Sequence, residues 1–331
     1  RPHLLDKAPP FARVGMASLR RAPLCPPPRA SRRRAPLRVT CEAPRGDISL
    51  ADVSKGRKLG AGNFGEVFEG GYKGRKVVLK GTKRQNPFSE KLFADEAATA
   101  KRLSGCGGVS KFLGVAGSGV YLVWEYDGDY TLDKALSSRD PLGEAGRRLG
   151  SRGGEKGALK EVARGVLRAA GAVHGAGVVH RDVKPGNLLL SERGKVLLID
   201  LGGCADLRTG TNFDAEQLVF DPLYGPPEKE LSGVSKALGG LLGGVGWAQK
   251  QPDLFDAYSC GVVALQFAVP SLRSKGGLQK LRRELGKYGE DLSAWRDAQG
   301  GRNGGDFALL DADGGKGWDF VTRLVQPRKG W

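Results

Sequence analysis

The spacing of apolar residues changes character midway along the chain. From about Ile48 they fall in short β-like runs through Leu59, through Val67-Phe68, and through Val77-Val78-Leu79-Lys80, each set off by polar or glycine positions. Between residues 89 and 103 the period lengthens, and Leu92, Phe93, Ala97, Ala100 and Leu103 fall on one helical face. Glu96 lies beside that face with apolar neighbours four residues before and after it, which favours it over Glu90 or Asp95 as an inward-pointing acid. Val120-Tyr121-Leu122-Val123-Trp124 reads as a buried strand leaving into a connector, Glu125-Tyr126-Asp127-Gly128. Beyond it helical spacing dominates. Leu159, Val162, Val166, Leu167, Ala170 and Val173 share a face that Gly175 and Gly177 terminate, and the segment from Asp256 to Val263 is apolar enough to sit at the centre of a helical layer. The pattern predicts an α+β chain of two lobes, one small and β-rich, the other larger and mainly α-helical.

Composition adds detail at the edges of this picture. The 52 glycines cluster at 143–157, 239–246 and 300–305, which read as surface loops; residues 137–157 are expected to form a Gly-rich basic insertion. Net charge is +17, but residues 1–41 carry +9 of it, leaving +8 for the other 290 residues. The arginines of that tail alternate with eight prolines and few apolar residues, so a packed core is not expected there. An Arg-rich, acid-poor composition with Ser18, Ser31 and Thr40 reads as an organellar transit peptide. Met16, the only methionine, opens a start-like Met16-Ala17-Ser18-Leu19-Arg20-Arg21, which leaves residues 1–15 as candidate upstream sequence. A basic terminus without an address and a nucleic-acid arm are the alternatives; the second lacks aromatic interleaving or a recognition module, so no nucleic-acid partner is expected. The five cysteines show no Cys-x-x-Cys pair, and zinc and a disulfide scaffold are both disfavoured, although Cys106 and Cys204 are candidates for redox sensitivity. No run of 18 apolar residues exists, so no transmembrane helix is expected.

The chemistry concentrates in His180-Arg181-Asp182-Val183-Lys184-Pro185-Gly186-Asn187, followed by Asp200-Leu201-Gly202. Acid, base and amide groups at this spacing suit phosphoryl transfer, in which the protein mainly positions groups and neutralises charge on phosphate oxygens. Gly60, Gly62 and Gly65 would let a backbone loop approach the phosphates. That loop returns into a strand rather than a helix, which favours a hairpin over a dinucleotide fold. Lys80 would contact the α and β phosphates and be held by Glu96. Asp200 and Asn187 would hold magnesium, Asp182 would accept the proton of a substrate hydroxyl, and Lys184 would neutralise the transferred group. Backbone groups of Glu125 and Asp127 would meet the adenine edge, with Trp124 closing the pocket behind.

Gly60-x-Gly62-x-x-Gly65-x-Val67, Lys80, Glu96, His180-Arg181-Asp182 to Asn187, Asp200-Leu201-Gly202 and Pro226-Pro227-Glu228 together resemble the eukaryotic protein-kinase signature set, in order, across residues 50–325. The resemblance implies the bilobal kinase fold, with an N-lobe at 55–126 after a linker at 42–54 and a C-lobe at 127–331. It implies ATP and Mg as cofactors and adds Leu59, Val67, Val78 and Leu189 to the nucleotide site. Lys184 is similar to the serine/threonine class. In such kinases the acid matching Asp256 braces the catalytic loop, Arg181 answers to activation-loop phosphorylation, and Glu228 pairs with an arginine of a terminal helix not recognised in this sequence. Thr209 and Thr211 are the hydroxyls of that loop before Tyr224. Asp221 stands where a threonine is usual, which implies a carboxylate near Lys184.

A narrower resemblance rests on Ile199-Asp200-Leu201-Gly202-Gly203-Cys204-Ala205-Asp206, Phe220-Asp221-Pro222-Leu223-Tyr224 and Pro252-Asp253-Leu254-Phe255-Asp256-Ala257-Tyr258-Ser259. These are similar to chloroplast thylakoid kinases, which implies location in the stroma or on the stromal face of the thylakoid, with peripheral membrane association. Implied substrates are light-harvesting antenna proteins, as in state transitions, or photosystem II core proteins. Leu201 resembles the antenna branch and Pro226-Pro227-Glu228 the core branch. A catalytically inactive kinase-fold scaffold is the alternative from another class, disfavoured by the retained polar residues. A small-molecule phosphotransferase is disfavoured by the long activation loop.

Overall fold

Two-residue alternation along the first strands separates packing from function. The structure is a computed structural model that describes residues 47–61, 65–82, 87–210, 220–227, 251–299 and 306–327. Strands β1 (Val53–Ala61), β2 (Gly65–Tyr72), β3 (Arg75–Thr82), β4 (Phe112–Ala116) and β5 (Tyr121–Glu125) form one antiparallel sheet in the order β1-β2-β3-β5-β4. The registers Val67 opposite Lys80, Lys80 opposite Leu122 and Val78 opposite Trp124 put all five residues on one face. Phe68, Val77, Leu79 and Val123 turn to the other face and are buried there with Ile48 and Ala116. Helix α1 (Pro87–Leu103), between β3 and β4 in sequence, sends Ala100 and Leu103 into a core shared with Phe112 and Leu122.

The second lobe comprises α2 (Leu132–Leu136), α3 (Pro141–Arg148), α4 (Gly154–Gly175), the short strands β6 (Val178–Val179), β7 (Leu188–Leu190), β8 (Val196–Leu198) and β9 (Ala205–Asp206), then α5 (Leu254–Ala268), α6 (Lys275–Lys287), α7 (Leu292–Gln299) and α8 (Ala308–Leu324). Helix α5 is buried on every side, as its mainly apolar sequence requires. Cys260, Val263 and Phe267 join the core that holds α4, whereas Tyr258, Val262 and Leu265 meet Leu278, Leu281 and Leu285 of α6 and Trp318 of α8. Burial of each large side chain contributes roughly 2–3 kcal/mol, so this helix is the lobe's main anchor. The α+β two-lobed expectation holds, and among the described residues no helix is long and apolar enough to cross a membrane.

Two boundaries differ from the sequence reading. Residues 137–157 are not a loop insertion: Asp140 accepts the N–H of Gly143 at 2.8 Å, Pro141 starts α3, and Leu142 and Ala145 are buried. An Asp-Pro helix start outweighs the glycine content, because the cap satisfies an otherwise orphaned donor. The linker assigned to 42–54 is also shorter. Ile48 is buried and donates its N–H to Val115 O at 2.8 Å, and β1 already begins at Val53.

Candidate active site

Strand β3 aims Lys80 at helix α1 because Lys80 shares a sheet face with Val67 and Val78. Its Nζ lies 2.8 and 2.7 Å from the two carboxylate oxygens of Glu96 and 2.7 Å from Asp200 Oδ1. Neither Glu90 nor Asp95 has a bond to Lys80 among the described residues; Asp95 pairs with Lys91 one turn away. Burial works to lower the Lys80 pKa, but the Coulomb attraction of Glu96 and Asp200 holds it above the usual lysine range. Burial pushes Glu96 up, and the charge of Lys80 holds Asp200 down. The ammonium therefore bridges a buried acid and one whose side chain is half exposed.

Gly60 lies near the end of β1 and Gly65 opens β2. A Cβ on Gly65 would stand 2.5 Å from Gly81 O, so only glycine lets β2 approach β3 there, while one on Gly60 would meet nothing within 4 Å. Gly62 lies outside the described residues. Leu59, Val67 and Val78 are half-buried on the sheet side of the cleft, and Leu189 is buried in β7 on the other side. The connector is strapped to β7, since Leu190 N–H donates to Tyr130 O and Glu192 N–H to Asp127 O. Glu125 N–H is likewise donated to Lys111 O. Of the adenine-edge groups expected on Asp127, the carbonyl is thus already engaged and the N–H remains. The Asp127 side chain points elsewhere, into a bond with Ser110, and burial raises its pKa. Trp124 packs edge-on against Phe112, with ring centroids 4.8 Å apart.

The segment 180–187 gathers its polar groups around two carboxylates. Asp182 Oδ2 accepts Lys184 Nζ at 2.8 Å and Asn187 Nδ2 at 2.8 Å, and its Oδ1 accepts the backbone N–H of Asp221 at 3.1 Å. Asp256, fully buried in α5, accepts the N–H groups of His180 and Arg181 at 2.7 and 2.8 Å and meets His174 Nε2 at 2.7 Å. Burial opposes its charge, yet the His174 bond and these N–H groups pull its pKa below the usual aspartate range. Arg181 (φ 68°) and Asp200 (φ 64°) both hold left-handed backbone, a conformation that costs non-glycine residues on the order of 1–3 kcal/mol and clusters at functional sites.

Asp221 lies beside the same Asp182 carboxylate as Lys184, through its backbone N–H. Its carboxylate closes its own turn by accepting Leu223 N–H at 3.0 Å, and among the described residues Lys184 pairs with Asp182 instead. Only the Asp221 backbone reaches Asp182. Arg181 is 2% exposed; its Nε donates to Gly203 O at 2.6 Å, burial lowers its pKa, and Nη1 has no partner among the described residues. Thr209 is exposed just past β9, with its N–H on Asp206 Oδ1, while Thr211 and Glu228 lie outside the described residues. Burial pushes the Cys204 thiol far up, so the redox expectation for it finds a protonated, enclosed sulfur. Cys106 is half-buried.

Sequence reasoning missed His174 and Ser110. Each partners an acid far along the chain or across the lobe, and spacing carries no signal for such pairs.

Asn187 uses its Nδ2 on Asp182, which leaves its amide oxygen, with the Asp200 carboxylate, as a hard oxygen donor set of the kind magnesium takes. Together with Lys80, the cleft offers oxygen ligands beside a fixed cation, an arrangement suited to a metal-bound nucleotide triphosphate.

Comparison with known proteins bears on the same residues. The protein kinase domain family matches residues 53–271. Serine/threonine-protein kinase STN8, chloroplastic, of Arabidopsis thaliana is 39% identical over 224 residues, covering 63% of this chain and 45% of the relative. Serine/threonine-protein kinase STN7, chloroplastic, of the same plant is 32% identical over 305 residues, covering 83% and 54%. This chain thus spans about half the length of these curated relatives. The crystal structure of a Stt7 homolog from Micromonas algae soaked with ATP aligns with a TM-score of 0.75 at 30% identity, covering 96% of this chain and 93% of that one. The chain belongs to the protein kinase family and, within it, to the group that includes these chloroplast kinases and the Stt7 homolog.

Proposed function

We propose that this protein is an active chloroplast serine/threonine kinase that transfers the γ-phosphoryl group of ATP to hydroxyls of thylakoid proteins. The observation that carries the reading is the polar cluster itself: Lys80 joined to Glu96 and Asp200, with Lys184 and Asn187 both on the Asp182 carboxylate. A scaffold without chemistry has no need of that set. Asp182 is the acceptor for the substrate hydroxyl proton, and Lys184 is the cation beside the transferred group. Leu59, Gly60, Gly62, Gly65, Val67, Val78 and Leu189 enclose the nucleotide, with Glu125 and Asp127 on its adenine edge. Magnesium, held by Asp200 and Asn187, would supply charge neutralisation on the phosphates. Asp256 braces the loop. Arg181, with a buried and unpartnered nitrogen among the described residues, is the receptor for a phosphate on the activation segment, for which Thr209 and Thr211 are candidate positions.

Antenna proteins and photosystem II core proteins are the two substrate classes, and the stroma or the stromal face of the thylakoid is the expected location. Incubation with ATP, magnesium and N-terminal peptides from both classes tests the reading. Phosphate enters threonine or serine in the wild type, and Asp182→Asn and Asp200→Ala lower incorporation by at least about 100-fold. Incorporation equal to wild type in both variants overturns the assignment.

A further inference from the structure

One charged cluster plays no part in the site so far described. Arg102, in the last turn of α1, lies against Asp206 of β9: its Nε forms an ion pair with Asp206 Oδ2 without the alignment of a hydrogen bond, and its Nη2 donates to Ala176 O at 2.6 Å. Asp206 is 2% exposed. Its other oxygen, Oδ1, accepts the N–H groups of Arg208 and Thr209, and its carbonyl accepts that of Gly210. Ala176 caps α4 immediately before β6, and β6 pairs with β9 through Val178 opposite Asp206. A single carboxylate thus closes the first turn of the activation segment and holds the far end of the helix that carries Glu96.

The geometry explains why a second anchor matters. The Lys80–Glu96 pair fixes one point of α1 with a directional bond, whereas the burial of Ala100 and Leu103 is non-directional and leaves the helix's angle less defined. Arg102 stands six residues further on, about 9 Å along the axis at 1.5 Å per residue, and on a different side of the helix. Two anchors at that separation set both distance and direction. A buried carboxylate without its cation is strongly disfavoured, so the Asp206 turn and the Arg102 end of α1 stabilise each other.

We propose that Arg102 is a positioning residue for phosphoryl transfer. Through Asp206 and the Ala176 carbonyl it ties the order of the activation segment to the orientation in which Glu96 meets Lys80. The inference rests on the site reading above only for its catalytic consequence, and the test separates the two. In the full 331-residue chain, Arg102→Met, Arg102→Lys and Asp206→Asn are compared with wild type by amide hydrogen exchange and by peptide phosphorylation kinetics.

Arg102→Met is expected to speed exchange over 96–103 by about tenfold while α5 amides keep wild-type rates, and to lower kcat by a similar factor with little change in KM for ATP. Arg102→Lys recovers part of both. Asp206→Asn keeps the Oδ1 acceptor for the turn while removing the charge, and is expected to match Arg102→Met; it carries the test should that variant fail to melt cooperatively. Combined with Glu96→Gln, Arg102→Met costs no further activity, because its effect runs through Glu96. Exchange over 96–103 at wild-type rate in Asp206→Asn overturns the proposal, as does an equal loss in the Glu96→Gln background. A wild type that phosphorylates nothing leaves the exchange result to decide the clamp and counts against the kinase reading alone. A wild type that phosphorylates equally to its clamp variants sinks the clamp and leaves that reading standing.

Discussion

Around residues 180–187 the polar partners are enclosed by protein, whereas along β1 and β2 they face water. Asp256 is fully buried and receives two backbone N–H groups and His174. Across the cleft, Arg57 pairs with Glu69 and Asp129, Lys58 with Glu66, and Lys76 with Glu69, all through largely exposed cations. Enclosed bonds are unscreened and leave an orphaned group when one partner goes, so they hold a loop in a strained conformation such as the left-handed Arg181. Exposed pairs are screened and exchange readily with water, so they leave the lip formed by β1 and β2 only loosely tied. The chain uses the first kind at the strained segment and the second along the sheet edge where the proposed reading places the nucleotide.

The largest effect expected from this contrast is at Asp256. Asp256→Ala strands two buried N–H groups and breaks the bond to His174, and should cost roughly 3–5 kcal/mol of unfolding free energy in urea. A loss of under about 1 kcal/mol would break the contrast. A smaller, graded effect follows from acid. The folded-state pKa of Asp256 is depressed, so its contribution to stability is complete above the unfolded aspartate value near 4 and is lost as pH falls through the folded value. Asp256→Asn should therefore flatten the acid side of the stability curve by up to about 1.4 kcal/mol per pH unit, one proton's worth, and an unchanged slope would assign the acid sensitivity elsewhere. The smallest effect is at the lip. Arg57→Ala should leave the melting temperature unchanged and weaken ATP affinity only slightly, a difference that disappears at about 0.5 M salt. A large change in melting would mean that the exposed pairs carry more than guidance.

Much of this was legible before any coordinates. Strand and helix periods separated the lobes, because a buried face must recur every two or every 3.6 residues whatever the tertiary context. Lys80 and Glu96 could be paired from their places on a sheet face and a helix face. What could not be read are partners chosen by folding: His174 and Asp256 are 82 residues apart, and nothing local in Val173-His174-Gly175 points to an acid in α5. Nothing local in the sequence pairs Arg102 with Asp206. Position implied a carboxylate at Asp221 near Lys184, but not the Leu223 N–H that its own turn offers it. Helix α3 escapes a reading by glycine content, because its start is set locally by Asp140-Pro141.

An ammonium group has three hydrogens, and Lys80 already commits all of them, two to Glu96 and one to Asp200. Any phosphate arriving there must take over an existing bond, and the one to the half-exposed Asp200 yields more readily than those to buried Glu96. On the proposed reading, in which Asp200 would help hold magnesium, exchange at that single hydrogen would free its carboxylate where the phosphates need a cation. Nucleotide and cation would then enter as one cooperative unit, each poorly held without the other.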